Sequence, residues 1–306
     1  MSAANDLFPG FDSRRIATSA AEIFVRIGGS GPPVVLLHGY PQTHAIWHKM
    51  APELAKRFTL ILPDLRGYGQ SLGPPSDPEH TAYSKRAMAR DIVEVMRSLD
   101  HERFALGAHD RGARVAYRLA LDHPDVVARL IILDVVPTVD AWQAMAAQEA
   151  LDTYHWPFLA QPAPLPETLI AGAPEFYVDH TLASWSATND LTPFAPAALA
   201  QYRALLANPE SRHAACEDYR AGATCDWQHD KADKEAGRKI ACPTLVLWGT
   251  DYLSQTPDQS TLDVWRPWCT DVRGSTIRSG HFLAEENPVD TLDHMLHFLE
   301  QYQGAT

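Results

Sequence analysis

The sequence predicts an α/β protein: a mostly parallel, twisted sheet flanked by helices and interrupted by a helical insertion. Three observations predict it. Short runs rich in Val, Ile and Leu recur along the chain, each followed by a stretch of helical period, which is the alternation of a sheet with crossover helices. The runs are continuously apolar rather than alternating, which implies burial on both faces, as in a parallel sheet. The rhythm then stops between about residues 139 and 240, where a Pro-rich stretch crowded with Trp, Tyr and Phe shows no strand-like run.

Taken in order, strands are expected at residues 21–27, then, after a Gly-rich turn at 28–31, at 33–37, 58–62, 104–108, 130–133, 244–248 and 272–277. Helices are expected at 44–57, 83–99, 112–122, 258–268 and 288–302. This divides the chain into a first part of the core at 1–138, a helical cap at 139–240 and a second part of the core at 241–306. Parallel sheets bind ligands outside the carboxyl ends of their strands, so an insertion at that edge can act as a lid. With 306 residues, 45% of them hydrophobic, the chain has enough apolar material for one large domain or a core plus an insertion.

Composition excludes several classes of function. Acidic residues outnumber basic ones, 38 to 26, so the surface repels phosphate backbones and nucleic acid is not an expected partner. The four cysteines, Cys216, Cys225, Cys242 and Cys269, form no C-x-x-C pair and read as reduced thiols. His294 and His297 stand at i, i+3 without a third ligand, so no metal is expected there. Nothing resembles a signal peptide, and nowhere do about 18 apolar residues run together, so a cytoplasmic enzyme without a membrane partner is expected. The loop Asp64-Leu65-Arg66-Gly67-Tyr68-Gly69-Gln70-Ser71 lacks the Lys-Ser or Lys-Thr of a phosphate-binding loop, and its glycines read as backbone geometry.

The chemistry gathers where strands end. The strand at 104–108 runs through Ala108-His109-Asp110-Arg111-Gly112 into a helix, the small-x-nucleophile-x-small pattern of a nucleophile elbow, with Asp110 in the nucleophile's place. Alone, the pentapeptide reads equally well as a helix N-capped by Asp110. It is not alone. His38-Gly39-Tyr40-Pro41 follows a strand where an oxyanion-hole N–H belongs, with the Arg111 N–H as its complement. Ser279-Gly280-His281-Phe282 follows the last strand, where a base belongs, and Asp134 and Asp251 each end an intervening strand as possible acids.

On these four motifs the sequence is identified as a member of the α/β-hydrolase superfamily over essentially its whole length. Within it the chain resembles the fluoroacetate dehalogenases, through Asp110-Arg111-Gly112-Ala113-Arg114, His155-Trp156 with Tyr219, and Asp134 with His281. The resemblance implies that Asp110 is the nucleophile and that Arg111 and Arg114 bind a carboxylate. It further implies that His155, Trp156 and Tyr219 stabilise the halide, and that Asp134 and His281 are acid and base. It implies no cofactor, a small haloacid and water as partners, and a homodimer through the cap. Tyr40, His109 and Trp185 are expected to line the pocket.

The residues argue for the same chemistry. A carboxylate at an elbow suits displacement at an sp³ carbon, leaving an ester that water, deprotonated by His281, then cleaves. Arg111 and Arg114, one helical turn apart, can face one space and grip an anion through planar forks. Fluoride leaves poorly, so several donors must converge on it. Because adjacent helical side chains diverge, His155 and Trp156 are expected in a turn or non-helical stretch, with Pro157 favouring an extended Trp156. Asp134 is preferred to Asp251 as the acid because it fits the dehalogenase pattern. Two rivals follow from the same residues. One is an epoxide hydrolase using Asp110 with two cap tyrosines among Tyr154, Tyr177, Tyr202 and Tyr219, and the other is a non-catalytic ligand receptor.

Overall fold

The computed structural model describes residues 6–253, 260–300 and 302. Among them, eight strands form one sheet: β1 (Asp12–Ala17), β2 (Glu22–Gly29), β3 (Pro33–Leu37), β4 (Thr59–Pro63), β5 (Phe104–His109), β6 (Val127–Leu133), β7 (Thr244–Gly249) and β8 (Val272–Ile277). Their spatial order is β1-β2-β4-β3-β5-β6-β7-β8, antiparallel at β1-β2 and β2-β4 and parallel from β4 onward. The sheet is buried on both faces, as the continuous apolar runs require. Val35, Leu37, Leu106 and Ile132 pack on one side with Met88, Ile92 and Val115. Their neighbours Val34, Leu36, Ala105 and Ile131 pack on the other with Trp47, Met295 and Phe298.

The structure differs from the sequence reading in particular places. β1 has no counterpart in it: Asp-Ser-Arg-Arg-Ile-Ala is an exposed edge strand paired on one side only, so burial imposes no apolar pattern. Gly28 and Gly29, read as a turn, belong to β2, because a Cβ on Gly28 would lie 2.5 Å from the Phe11 ring. The helix expected at 44–57 is a 3₁₀ turn, His44–Trp47, and one short helix, Ala51–Leu54, with Pro52 in its first turn. The elbow helix starts two residues earlier than expected, at Asp110–Asp122. Of the helix expected at 258–268, Thr261–Trp265 and the 3₁₀ turn Arg266–Trp268 form, and residues 258 and 259 lie outside the described residues.

Between β6 and β7 the described residues carry helices and no strand, from Thr138–Ala144 to Cys225–Glu235. Three of these helices open on a proline, at Pro174, Pro196 and Pro209, where the missing N–H costs nothing. None of the described helices is long and apolar enough to cross a membrane.

Register places the site. Leu37 pairs with Ala108, His109 with Leu133, Leu133 with Leu247, and Gly249 with Ile277. The residues that follow β3, β5, β6 and β8 therefore emerge side by side along one edge. The order of strand connection reverses about β3, with β4 on one side and β5 on the other, the crevice where open α/β sheets bind ligands.

Candidate active site

Asp110 leaves β5 and begins its helix at φ +45°, in the left-handed region that side chains rarely adopt. The tightness of this bend explains its small neighbours. A Cβ on Gly112 would lie 2.2 Å from the His38 carbonyl, and one on Gly39 would lie 2.5 Å from Asp110 Cβ and 2.8 Å from the Arg111 nitrogen. Asp110 does not cap its helix: His109 holds the N-cap position, with no side-chain cap. The carboxylate turns to the next loop instead, where Tyr40 N–H donates to Oδ2 at 2.8 Å. Burial works to raise its pKa, but His281, His109, Arg111 and Arg114 outweigh that and hold it below the ordinary carboxylate value.

His281 carries a defined tautomer. Its Nδ1 lies 2.5 Å from Asp134 Oδ2, while Asp134 Oδ1 accepts the Gly249 N–H at 2.8 Å. Nδ1 therefore holds the proton, and the Nε2 lone pair faces Asp110 Oδ1 at 3.8 Å. Burial pulls the imidazole down to about 4, so it is neutral near pH 7, and burial raises the Asp134 carboxyl. Of the two acids the sequence offers, Asp134 stands against the histidine. Asp251 is exposed, and its backbone N–H donates to the Ser279 carbonyl. His109 lies behind His281, its Nε2–H donating to the His281 carbonyl at 2.7 Å; burial keeps its ring neutral, with a pKa of about 4.

Arg111 and Arg114 do share one space, their guanidinium carbons standing 5.6 and 4.5 Å from the Trp156 ring centre. Arg114 donates to the Val136 carbonyl at 2.9 Å and to Thr138 Oγ1 at 3.1 Å, leaving Nε buried without a partner. Arg111 donates to Asp218 and lies over Tyr219 at 4.1 Å, leaving Nη1 without one. His155 and Trp156 correct the sequence reading: both lie in the first turn of a helix, His155–Leu159. Pro157 is accommodated because first-turn N–H groups have no partner within the helix. Their long side chains still meet at one ring, with centres 5.7 and 6.2 Å from that of Tyr219.

Besides His281 Nε2, the buried atoms without partners near Asp110 include His155 Nδ1, Tyr219 Oη, Arg111 Nη1 and Arg114 Nε. Burial pushes His155 down to about 3 and raises Tyr219, so both are neutral. Trp185 and Tyr40 close the walls. Trp185 stands 4.3 Å from His155 and 5.5 Å from His281, and its carbonyl accepts the His281 N–H at 2.9 Å. Tyr40 stacks on His155 at 6.5 Å and meets Tyr219 edge-on at 5.3 Å.

Sequence reasoning missed Asp218 and also Tyr252, whose ring lies 4.5 Å from His281. The signal for Asp218 was Glu217-Asp218-Tyr219-Arg220, four consecutive polar residues that cannot all face water on a helix packed against a core. Among the described residues no three His, Cys, Asp or Glu side chains gather as a metal site. The arrangement can hold an anion, present a carboxylate to carbon and activate water.

Known proteins are similar to this chain over most of its length. The family model for the alpha/beta hydrolase fold matches residues 32–288. A fluoroacetate dehalogenase of Burkholderia sp is 41% identical over 98% of this chain and 97% of its own. A soluble epoxide hydrolase of Corynebacterium sp. (strain C12) is 31% identical over 88% of this chain and 91% of its own. A crystallised candidate epoxide hydrolase from Pseudomonas aeruginosa superimposes with a TM-score of 0.90, at 47% identity, over 96% of this chain and 97% of its own. The family match over residues 32–288 and the identity to relatives along most of the chain show that the protein is a hydrolase that belongs to the α/β-hydrolase superfamily, standing within it beside the fluoroacetate dehalogenases.

Proposed function

We propose that the protein hydrolyses the carbon–halogen bond of small 2-haloacids, fluoroacetate among them. Haloacetate and water give glycolate, halide and a proton. The observation that carries this reading is the gathering of buried, unpartnered polar atoms near one buried carboxylate: Arg111 Nη1, Arg114 Nε, His155 Nδ1 and Tyr219 Oη, all on residues that interact electrostatically with Asp110. A carboxylate and a leaving halide are the two ends of a haloacid.

In this reading Asp110 Oδ1 attacks the halogen-bearing carbon, the C–X bond electrons leave with the halide, and an aspartyl ester forms. Oδ2, already cradled by the Tyr40 N–H at 2.8 Å, becomes the ester carbonyl oxygen. His281 Nε2 takes a proton from water, whose oxygen attacks the ester carbon, and the oxyanion hole carries the negative charge. Collapse of that intermediate frees glycolate and restores Asp110. Arg114 and Arg111 Nη1 hold the acid end, while Tyr219, His155 and Trp156 meet the halide.

The test is halide release from fluoroacetate and chloroacetate. Turnover is expected from the wild type and none from Asp110→Ala; a folded wild type that frees no halide from either acid refutes the proposal. A second reading, epoxide hydrolysis, draws on the 31% identical epoxide hydrolase and on Tyr177 Oη and Tyr219 Oη, both buried without partners. Arg111, a cation directly after the nucleophile, favours an acidic substrate over a neutral one. Hydration of styrene oxide at a rate rivalling haloacid turnover would favour the epoxide.

A further inference from the structure

Behind the arginine pair lies a buried ion cluster that the displacement chemistry does not use. Asp218 is 0% exposed, in the middle of helix Pro209–Ala223, and the residue after it is Tyr219. Its Oδ1 accepts from Arg111 Nη2 at 2.7 Å and Nε at 3.2 Å, and also from Lys85 Nζ. Its Oδ2 accepts the Tyr68 hydroxyl at 2.8 Å, and its backbone carbonyl takes a second bond from Arg111 Nη2, also at 2.8 Å. One turn on, Gly222 completes the seat: a Cβ there would lie 2.9 Å from Arg111 Nη2. Arg111 and Lys85 outweigh the burial of Asp218 and hold its carboxyl far below the ordinary range, so the pairing is ionic at any working pH.

Two consequences follow. The Nε and Nη2 edge of the Arg111 fork is consumed within the protein, and Nη1 alone remains to meet a ligand. The charges of Arg111 and Lys85 are balanced by Asp218 and Asp226, which lies 3.5 Å from Lys85 Nζ. Arg111 is thus a donor of fixed direction rather than a loose cation. Arg114 likewise keeps a buried, unpartnered nitrogen, Nε, so each arginine of the pair retains a free donor atom for a carboxylate.

We propose that Asp218, seated with Gly222, is the positioning residue of this anion clamp and fixes Arg111 so that the site selects a substrate with one carboxylate. This rests on the haloacid reading, and wild-type turnover of chloroacetate tests that reading first and by itself. The measurement is the ratio of kcat/KM for chloroacetate to that for chloroacetamide, its uncharged counterpart, with KM and kcat for the acid recorded separately. Asp218→Asn combined with Lys85→Met removes the anchor while keeping the cluster's net charge. The ratio is expected to fall at least tenfold, through KM, with kcat changing less than threefold.

Gly222→Ala reaches the same guanidinium without altering any charge. The atom it meets ends a side chain rather than belonging to the backbone, and Ala favours the helix, so the fold survives while the Arg111 guanidinium is pushed off its seat. A fall of fivefold or more in the ratio is expected. A lesion that only loosened the fold would lower acid and amide together. Ratios within twofold of wild type in folded Gly222→Ala protein overturn the proposal even where the double variant does not fold.

Discussion

Asp134→Asn exposes the mechanism most directly, because its consequence can be worked from two hydrogen bonds. Asp134 Oδ1 accepts the Gly249 N–H at 2.8 Å, and Oδ2 faces His281 Nδ1 at 2.5 Å. An asparagine here keeps its oxygen on Gly249, since an amide nitrogen cannot accept that N–H. Its NH₂ then points at His281 Nδ1, which must accept and so lose its proton to Nε2. The lone pair that takes a proton from water disappears. Making a triad carboxylate an amide costs about 10⁴-fold in turnover, or about 5.5 kcal/mol. The loss falls on one step only, because displacement of halide by Asp110 needs no base. The variant is expected to free one halide per site in a burst and then stall as the ester. The assay pairs rapid-quench halide determination with intact-protein mass spectrometry, which detects the carboxymethyl adduct. Asp251→Asn, changing an exposed carboxylate, should stay within about threefold of wild type. Steady turnover by Asp134→Asn near the wild-type rate, or collapse in Asp251→Asn instead, refutes the tautomer argument.

Acid pH should act on the same step. The base works only when neutral, and burial places its pKa at about 4, so turnover should be flat at neutral pH and fall as pH drops through about 4; a kcat profile with its acid limb centred near the ordinary histidine value of 6.5 would contradict this. Tyr219→Phe deletes a buried, unpartnered hydroxyl that the proposed chemistry directs at the leaving group. A net loss of about 1 kcal/mol, roughly fivefold, is expected for chloroacetate and a larger one for fluoroacetate, whose departing ion demands more donation; equal losses in halide-release rates would remove Tyr219 from the halide's path. Gly39→Ala would set a methyl 2.5 Å from Asp110 Cβ, so turnover should fall at least a hundredfold with circular dichroism unchanged, and normal activity would mean that the elbow is looser than its geometry indicates.

Legibility in the sequence followed burial and locality. β3, β5, β6 and β7 are buried on both faces, which forces continuous apolar runs that any reader can find. β1, at the exposed edge, carries no such pattern and stayed invisible. Asp110, Asp134 and His281 were found because each immediately follows a strand or its turn, so local sequence carries their position. Asp218 was not found, because its meaning comes from Arg111, Lys85 and Tyr68, each more than a hundred residues away along the chain. Between Asp134 and Asp251 the family resemblance prefers the first, whereas strand position alone does not decide, since both end strands; the path of the loop after β8 sets His281 against Asp134.

That contrast assigns the chemistry unequally between core and cap. One turn of the elbow helix supplies Asp110, Arg111 and Arg114, so the proposed nucleophile and carboxylate clamp share a rigid element and their spacing is fixed by helix geometry. The cap supplies His155, Trp156 and Tyr219, from two helices that reach the site by packing. Changes in the cap should therefore alter which halide leaves, while changes at the elbow should alter whether any reaction occurs. Asp218 crosses this boundary. It is a residue of the helical insertion whose carboxylate holds a core arginine and whose neighbour in sequence is Tyr219, with its buried, unpartnered hydroxyl. On the proposed haloacid chemistry, a displacement of helix Pro209–Ala223 moves both ends of the substrate site together, so mutations along it should lower acid selectivity and halide discrimination in step, whereas mutations in His155–Leu159, on the proposed halide side alone, should separate them.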